Sequence, residues 1–145
     1  MAILREIEVR YKFTQVDCDI TGKLLDAPHK VYSAFNFLKF EPKEKFVVIN
    51  LSNQHTIMNY EVVASGTVNS VSLRPSEVLR TAVIINAPAV ILAHNHPSGV
   101  PTPSQSDIQF TKRMQKVAEL LDIKVLDHII IGEDGFVSLN EKGLM

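Results

Sequence analysis

The hydrophobic pattern divides this chain into short apolar runs and longer amphipathic stretches. FVVINL at 46–51 is rich in branched residues and reads as a buried strand. The polar SNQH segment and then IMNYEVVAS predict a turn and a second strand, making 45–64 a hairpin. AVILAH from Ala89 predicts a fully buried central strand, and IKVLDHIIIG at 123–132 another strongly apolar one. A short FVSL strand follows a glycine-containing turn.

Helical spacing shows in three places. After Pro28, HKVYSAFNFL puts Val31, Phe35 and Leu38 on one face. Pro75 and Ser76 open SEVLRTAVIIN, whose broad apolar side comprises Val78, Leu79, Ala82, Val83 and Ile85, with Asn86, Ala87 and Pro88 ending it. Ser104 to Leu121 is amphipathic, with Ile108, Thr111, Met114, Val117, Ala118 and Leu121 expected to face inward. The helix–strand–helix–strand order after residue 75, behind a hairpin, predicts an α/β domain with a mixed β-sheet flanked by helices.

The amino-terminal part is less patterned. ILREIEVRYKF alternates loosely, as an edge strand or packing arm would, and such an arm could lie between subunits. TQVDCDITGKLLDAP is turn-rich around Gly22, and VNSVSL can add an extended piece.

Composition narrows the class. The 145 residues make one ordinary domain, with 46% hydrophobic and 21% charged residues, as in soluble globular proteins. A net charge of −1 offers no general basic face for nucleic acid. The single cysteine, Cys18, has no partner for an internal disulfide, which suits a reducing cytoplasm and leaves any metal to histidine and carboxylate. Cys18 itself reads as a small side chain near a strand. The start, MAILREIEVRYKF, has no apolar stretch long enough for a signal peptide, and no membrane-spanning segment is expected.

The candidate chemistry is concentrated in HNHPSGVPTPSQSD, from His94 to Asp107. On a strand, His94 and His96 point to the same face, while Asn95 between them points to the other and takes a structural role. Asp107, in the first turn of the next helix, can add an oxygen ligand. Three protein ligands plus a water make an open site of the catalytic zinc type. Ser104 and Asp107 equally fit a plain capping box. Gly99 and three prolines in the loop suit a stiff connection that keeps the ligands in register. His128 reads as a core histidine, with a ligand-orienting partner as the alternative. His29 and His55 read as surface residues.

The pattern His-x-His, seven residues, Ser, two residues, Asp resembles the JAMM motif of the JAB/MPN metallopeptidases. HNHPSG, PSxxD and LLDIKVLDHIIIG are similar to the RadC-like branch, over roughly residues 40–145, with 1–40 poorly matched. That resemblance implies a cytidine-deaminase-like α/β/α fold and a zinc-dependent hydrolase of peptide or isopeptide bonds. It implies His94, His96 and Asp107 as zinc ligands and Ser104 as a hydrogen-bond donor to the oxyanion. An upstream glutamate would serve as general base on the metal-bound water. Glu44, Glu61 and Glu77 are candidates, and Glu44 matches the family's acid ahead of the buried strand.

The letters HNH are not an HNH-nuclease signature, whose residues are spread over a ββα unit. The ligand order is also the reverse of the usual ferrous facial triad, which favours zinc. Longer RadC-like proteins carry a helix-hairpin-helix region, the expected source of any DNA contact, and no such region is expected within these 145 residues. Three readings follow: a zinc hydrolase of an unknown peptide or protein, an accessory domain linked by family name to DNA repair, and a metal-free interaction module, against which the intact ligand set argues.

Overall fold

The computed structural model describes residues 2–10, 22–66 and 73–145. Its elements in chain order are α1 (Pro28–Ala34), a 3₁₀ turn (Asn36–Phe40), β1 (Glu44–Leu51), β2 (Ile57–Gly66), α2 (Pro75–Ile85), β3 (Ala89–Asn95), α3 (Gln105–Leu120), β4 (Lys124–Ile131) and β5 (Phe136–Ser138). The five strands form one sheet in the order β2-β1-β3-β4-β5. β3 and β4 are parallel, joined across α3, and the other neighbours are antiparallel. The sheet is therefore mixed, as the hairpin followed by alternating helices and strands predicted.

Strand periodicity sorts the core into two halves. Val47, Ile49 and Leu51 of β1 and Ile91 and Ala93 of β3 pack with Val31, Phe35 and Leu38, under α1 and the 3₁₀ turn. Phe46, Val48, Val90 and Leu92 point to the opposite face, against Val78, Leu79 and Ala82 of α2 and Phe110, Met114 and Ala118 of α3. Neighbouring residues facing opposite ways is what the two-residue period requires. It also explains why β1 and β3 read as unbroken apolar runs: both faces are covered by helices.

Several expectations are corrected by packing. The face formed by Val31, Phe35 and Leu38 is buried, but the helix stops at Ala34 and tightens into the 3₁₀ turn. On α2, Val83 stands 49% exposed, because Val78, Leu79 and Ala82 already cover the sheet. On α3 the buried residues are Phe110, Thr111, Met114 and Ala118. Phe110 was not among those expected inside, and Leu121 is exposed. Asp107 faces the histidines at the helix start, so the residues one turn on, 110 and 111, must face the sheet. At the other end, Asp122 turns left-handed and Ile123 N–H returns to Ala118 O, burying Ile123 in place of Leu121.

The amino-terminal segment forms no strand over residues 2–10, and Ile3, Leu4, Ile7 and Val9 are exposed. Cys18 and most of VNSVSL lie outside the described residues. Among the described residues, no helix is long and apolar enough to cross a membrane.

Candidate metal centre

The end of β3 and the start of α3 meet over one short loop. His94 is the penultimate residue of β3 and is 4% exposed, and its ring is stacked on Phe46 at 5.8 Å between centroids. His96 lies just past the strand on the same face. Its backbone N–H donates to Ile131 O of β4 (2.9 Å), which continues the strand direction into the loop. Gly99 adopts φ +86°, and Gly99 N–H donates to His96 O to close the turn. The turn returns Val100 O to within 2.9 Å of His96 Nδ1.

Ser104 and Asp107 do form a capping box. Asp107 N–H donates to Ser104 Oγ (3.1 Å) and Ser104 N–H donates to Asp107 Oδ2 (2.9 Å). The same Asp107 carboxylate lies 3.6 Å from His94 Nε2 and 3.5 Å from His96 Nε2. The capping and ligand readings of this residue are thus compatible: the cap holds the carboxylate while it faces the imidazoles. One nitrogen of each histidine and one Asp107 oxygen lie within 4.8 Å of one another, a group that can hold a metal ion.

Proton placement tests whether these groups fit a cation. A carbonyl only accepts, so the bond to Val100 O requires the proton of His96 on Nδ1. His94 Nδ1 lies 2.8 Å from His128 Nε2, inside the core. The two Nε2 atoms face each other at 3.0 Å beside a carboxylate. With a proton on each Nδ1, both neutral rings turn a lone pair toward the Asp107 carboxylate, an arrangement that a positive charge stabilises. A proton on His96 is one solution and a divalent ion bound by two imidazoles and a carboxylate is the other. The donor set fits a zinc-type ion.

Titration follows the same geometry. Burial pushes His94 down to about 4, against the pull of Asp107. The Asp107 hydrogen bond raises His96 above its ordinary value despite partial burial. Burial pulls Asp107 upward, yet the bond from His96, neighbouring His94 and the two Ser104 contacts more than offset it, and its carboxyl sits well below the usual range.

The three glutamates are placed differently. Phe46 pairs with His94 across β1 and β3, and continuing that register by two residues brings Glu44 abreast of His96. Glu44 is half-buried there, and its charge contributes to the raised pKa of His96. Glu61 sits on β2, bonded to Arg80 at 2.6 Å, and Glu77 caps α2 through Arg74 N–H. None of the three glutamates belongs to the group formed by His94, His96 and Asp107.

Asn95 points to the face opposite the histidines, as strand alternation predicts. Lys45 N–H donates to its Oδ1 (2.7 Å), and its Nδ2 donates to Lys43 O (3.0 Å) and Glu41 O (3.4 Å). These bonds grip the backbone on both sides of Glu44. His29 is exposed, and His55 occupies a turn with φ +61°.

Some contributors carry little local signal in the chain. Gly132, at the end of β4, lies so close to the histidine loop that a Cβ there would collide with Gly99 O and meet Pro101 Cδ at 2.8 Å. Asp127, buried and raised by desolvation, pins the end of the sheet through Ser138 Oγ, His128 N–H and Asn140 N–H. A glycine ending an isoleucine run and an acid inside an apolar strand were the only visible hints.

A family model for the RadC-like JAB domain matches residues 25–144. Among curated proteins, a UPF0758 protein of Pseudomonas syringae pv. tomato is 45% identical over 108 residues, covering 74% of this chain and 48% of that protein. A UPF0758 protein of Cellvibrio japonicus is 44% identical over 123 residues, 84% of this chain and 55% of the relative. One from Aliivibrio salmonicida is 40% identical over 138 residues, 95% and 61% respectively. The chain thus spans about half to three-fifths of the length of these relatives.

Proposed function

The chain belongs to the RadC-like JAB domain family, and from that premise we propose that it is a zinc-dependent hydrolase of peptide or isopeptide bonds. The observation that carries the reading is the convergence of His94 Nε2, His96 Nε2 and an Asp107 oxygen on one point. His94, His96 and Asp107 would hold the ion, leaving a position open for water or substrate. When bound, zinc supplies a Lewis acid that polarises the scissile carbonyl and lowers the pKa of water toward neutrality.

The remaining work falls to the side chains around the ligands. Glu44, abreast of His96, takes a proton from the attacking water and passes it to the leaving amine. Ser104 Oγ already accepts the Asp107 N–H, so its own hydroxyl proton is free to donate to the oxygen on which negative charge develops. Val100 O holds the His96 ring, and the capping box holds Asp107. The substrate on this reading is a peptide or protein.

The test has two parts. Purified protein at neutral pH should bind zinc in a one-to-one ratio, and His96→Ala should abolish that binding. With a peptide substrate found by trapping on Glu44→Gln, that variant should keep its zinc and lose about 10²–10⁴-fold in turnover. Protein that takes up no zinc, or a Glu44→Gln variant as active as the parent, would overturn the reading.

A further inference from the structure

A line of hydrogen bonds leaves the candidate metal centre through the back of His94. His94 Nδ1 lies 2.8 Å from His128 Nε2, His128 Nδ1 lies 2.6 Å from Thr111 Oγ1, and Thr111 Oγ1 lies 2.7 Å from Asp107 O. Thr111 and His128 are both buried, 0% and 1% exposed. The line starts on one ligand and ends on the backbone of another, crossing from β3 to β4 to α3.

Its proton positions can be worked out from the far end. A peptide carbonyl only accepts, so the single hydroxyl proton of Thr111 goes to Asp107 O. Thr111 Oγ1 must then accept from its other partner, which puts a proton on His128 Nδ1. The side-chain partners of His128 are a hydroxyl and an imidazole, neither of them an acid, and a ring buried in such surroundings carries one proton. Its Nε2 is therefore a lone pair, and His94 Nδ1 donates to it. That leaves His94 Nε2 without a proton, on the side where His96 Nε2 and Asp107 lie.

We propose that Thr111 and His128 are positioning residues that lock His94 in its Nδ1–H form and so decide which of its nitrogens faces the ion. The inference rests on the metal-site reading above and deepens it. Asp107 and Thr111 are four apart, one helical turn, so the hydroxyl reaches the carbonyl one turn back. In an ordinary helix that bond has no further consequence. Here it orients the hydroxyl oxygen toward β4, where the pairing of Leu92 with His128 sets the second imidazole behind His94. The carboxylate ligand and the histidine ligand are thus coupled through a single hydroxyl. The role is the outer-ring partner that metal-bound histidines generally require, supplied here by a second histidine in place of a carboxylate.

Two variants and two readouts test this. Thr111→Val keeps the shape and removes the hydroxyl, whereas Thr111→Ser keeps the hydroxyl. Long-range ¹H–¹⁵N correlation of the histidine rings in metal-free protein reports the tautomer, and cobalt(II) titration followed by visible absorption reports affinity. The parent should show His94 as Nδ1–H. Thr111→Ser should match it in tautomer and affinity. Thr111→Val should show His94 shifted toward the Nε2–H form and bind cobalt(II) about 10–100-fold more weakly. A parent spectrum with His94 as Nε2–H would overturn the inference without any variant being needed. So would Thr111→Val binding cobalt(II) like the parent, or Thr111→Ser losing as much as Thr111→Val, since packing would then be the cause. A parent that binds no cobalt(II) or zinc would instead sink the metal-site reading, while the ring spectra still decide whether the relay exists.

Discussion

Asn95 ties two strands together through three hydrogen bonds. Its carboxamide is 1% exposed, on the face away from the ligands, and joins the end of β3 to the start of β1. Asn95→Ala removes an acceptor from Lys45 N–H and a donor from Lys43 O, plus a longer bond to Glu41 O. Each good hydrogen bond contributes about 1 kcal/mol net, and each buried group left without a partner costs about 1–3 kcal/mol. Water reaches the part-buried backbone near Lys43, which favours the lower end, so the expected loss is about 2–4 kcal/mol. In urea unfolding, with an m-value of about 2 kcal/mol/M, the midpoint should fall by about 1–2 M. Asn95→Asp should be at least as damaging at neutral pH, because it presents a carboxylate to two carbonyls. Cobalt(II) affinity should hold in both variants, since no ligand is touched, while Glu44 loses its backbone clamp. A midpoint shift below about 0.3 M would refute the reasoning and show that the β1 start is held by its strand pairing alone.

Two further outcomes follow from the loop and the ligands. Gly132→Ala would drive a methyl into Gly99 O and Pro101, moving the turn that aims Val100 O at His96. It should cost about 1–3 kcal/mol by thermal unfolding and weaken metal binding, and unchanged values in both would discount the loop contact. The pH dependence of metal affinity has a definite sign. A proton on His96 Nε2 competes with the ion, and Asp107 raises that pKa above its ordinary 6.5, so binding expels a proton and affinity climbs with pH until His96 is neutral. The slope should be about tenfold per pH unit below the His96 value, and steeper once His94 also protonates at about 4. A flat profile between about pH 5 and 7 in isothermal titration would contradict it.

Much of this protein was determined by local spacing. Branched apolar runs predicted β1, β3 and β4, and proline followed by helical periodicity predicted α2, because both signals are written within a few residues. The candidate metal group was legible for the same reason. A two-residue interval places His94 and His96 on one strand face, and a three-residue interval places Ser104 and Asp107 in one helical turn. Register and rotation between distant segments were fixed only by the folded packing. The β1–β3 pairing brings Glu44 abreast of His96 and lets Asn95 grip the backbone around it. The rotation of α3, set by Asp107 facing the histidines, turns Phe110 and Thr111 inward. The parallel β3–β4 pairing puts His128 behind His94, and the closing of β4 onto the loop requires Gly132. These contacts join residues tens of positions apart, and a periodic pattern carries no information about which periods meet. The candidate ligands could be read from the chain, whereas the groups that hold them together depended on the packing of the sheet.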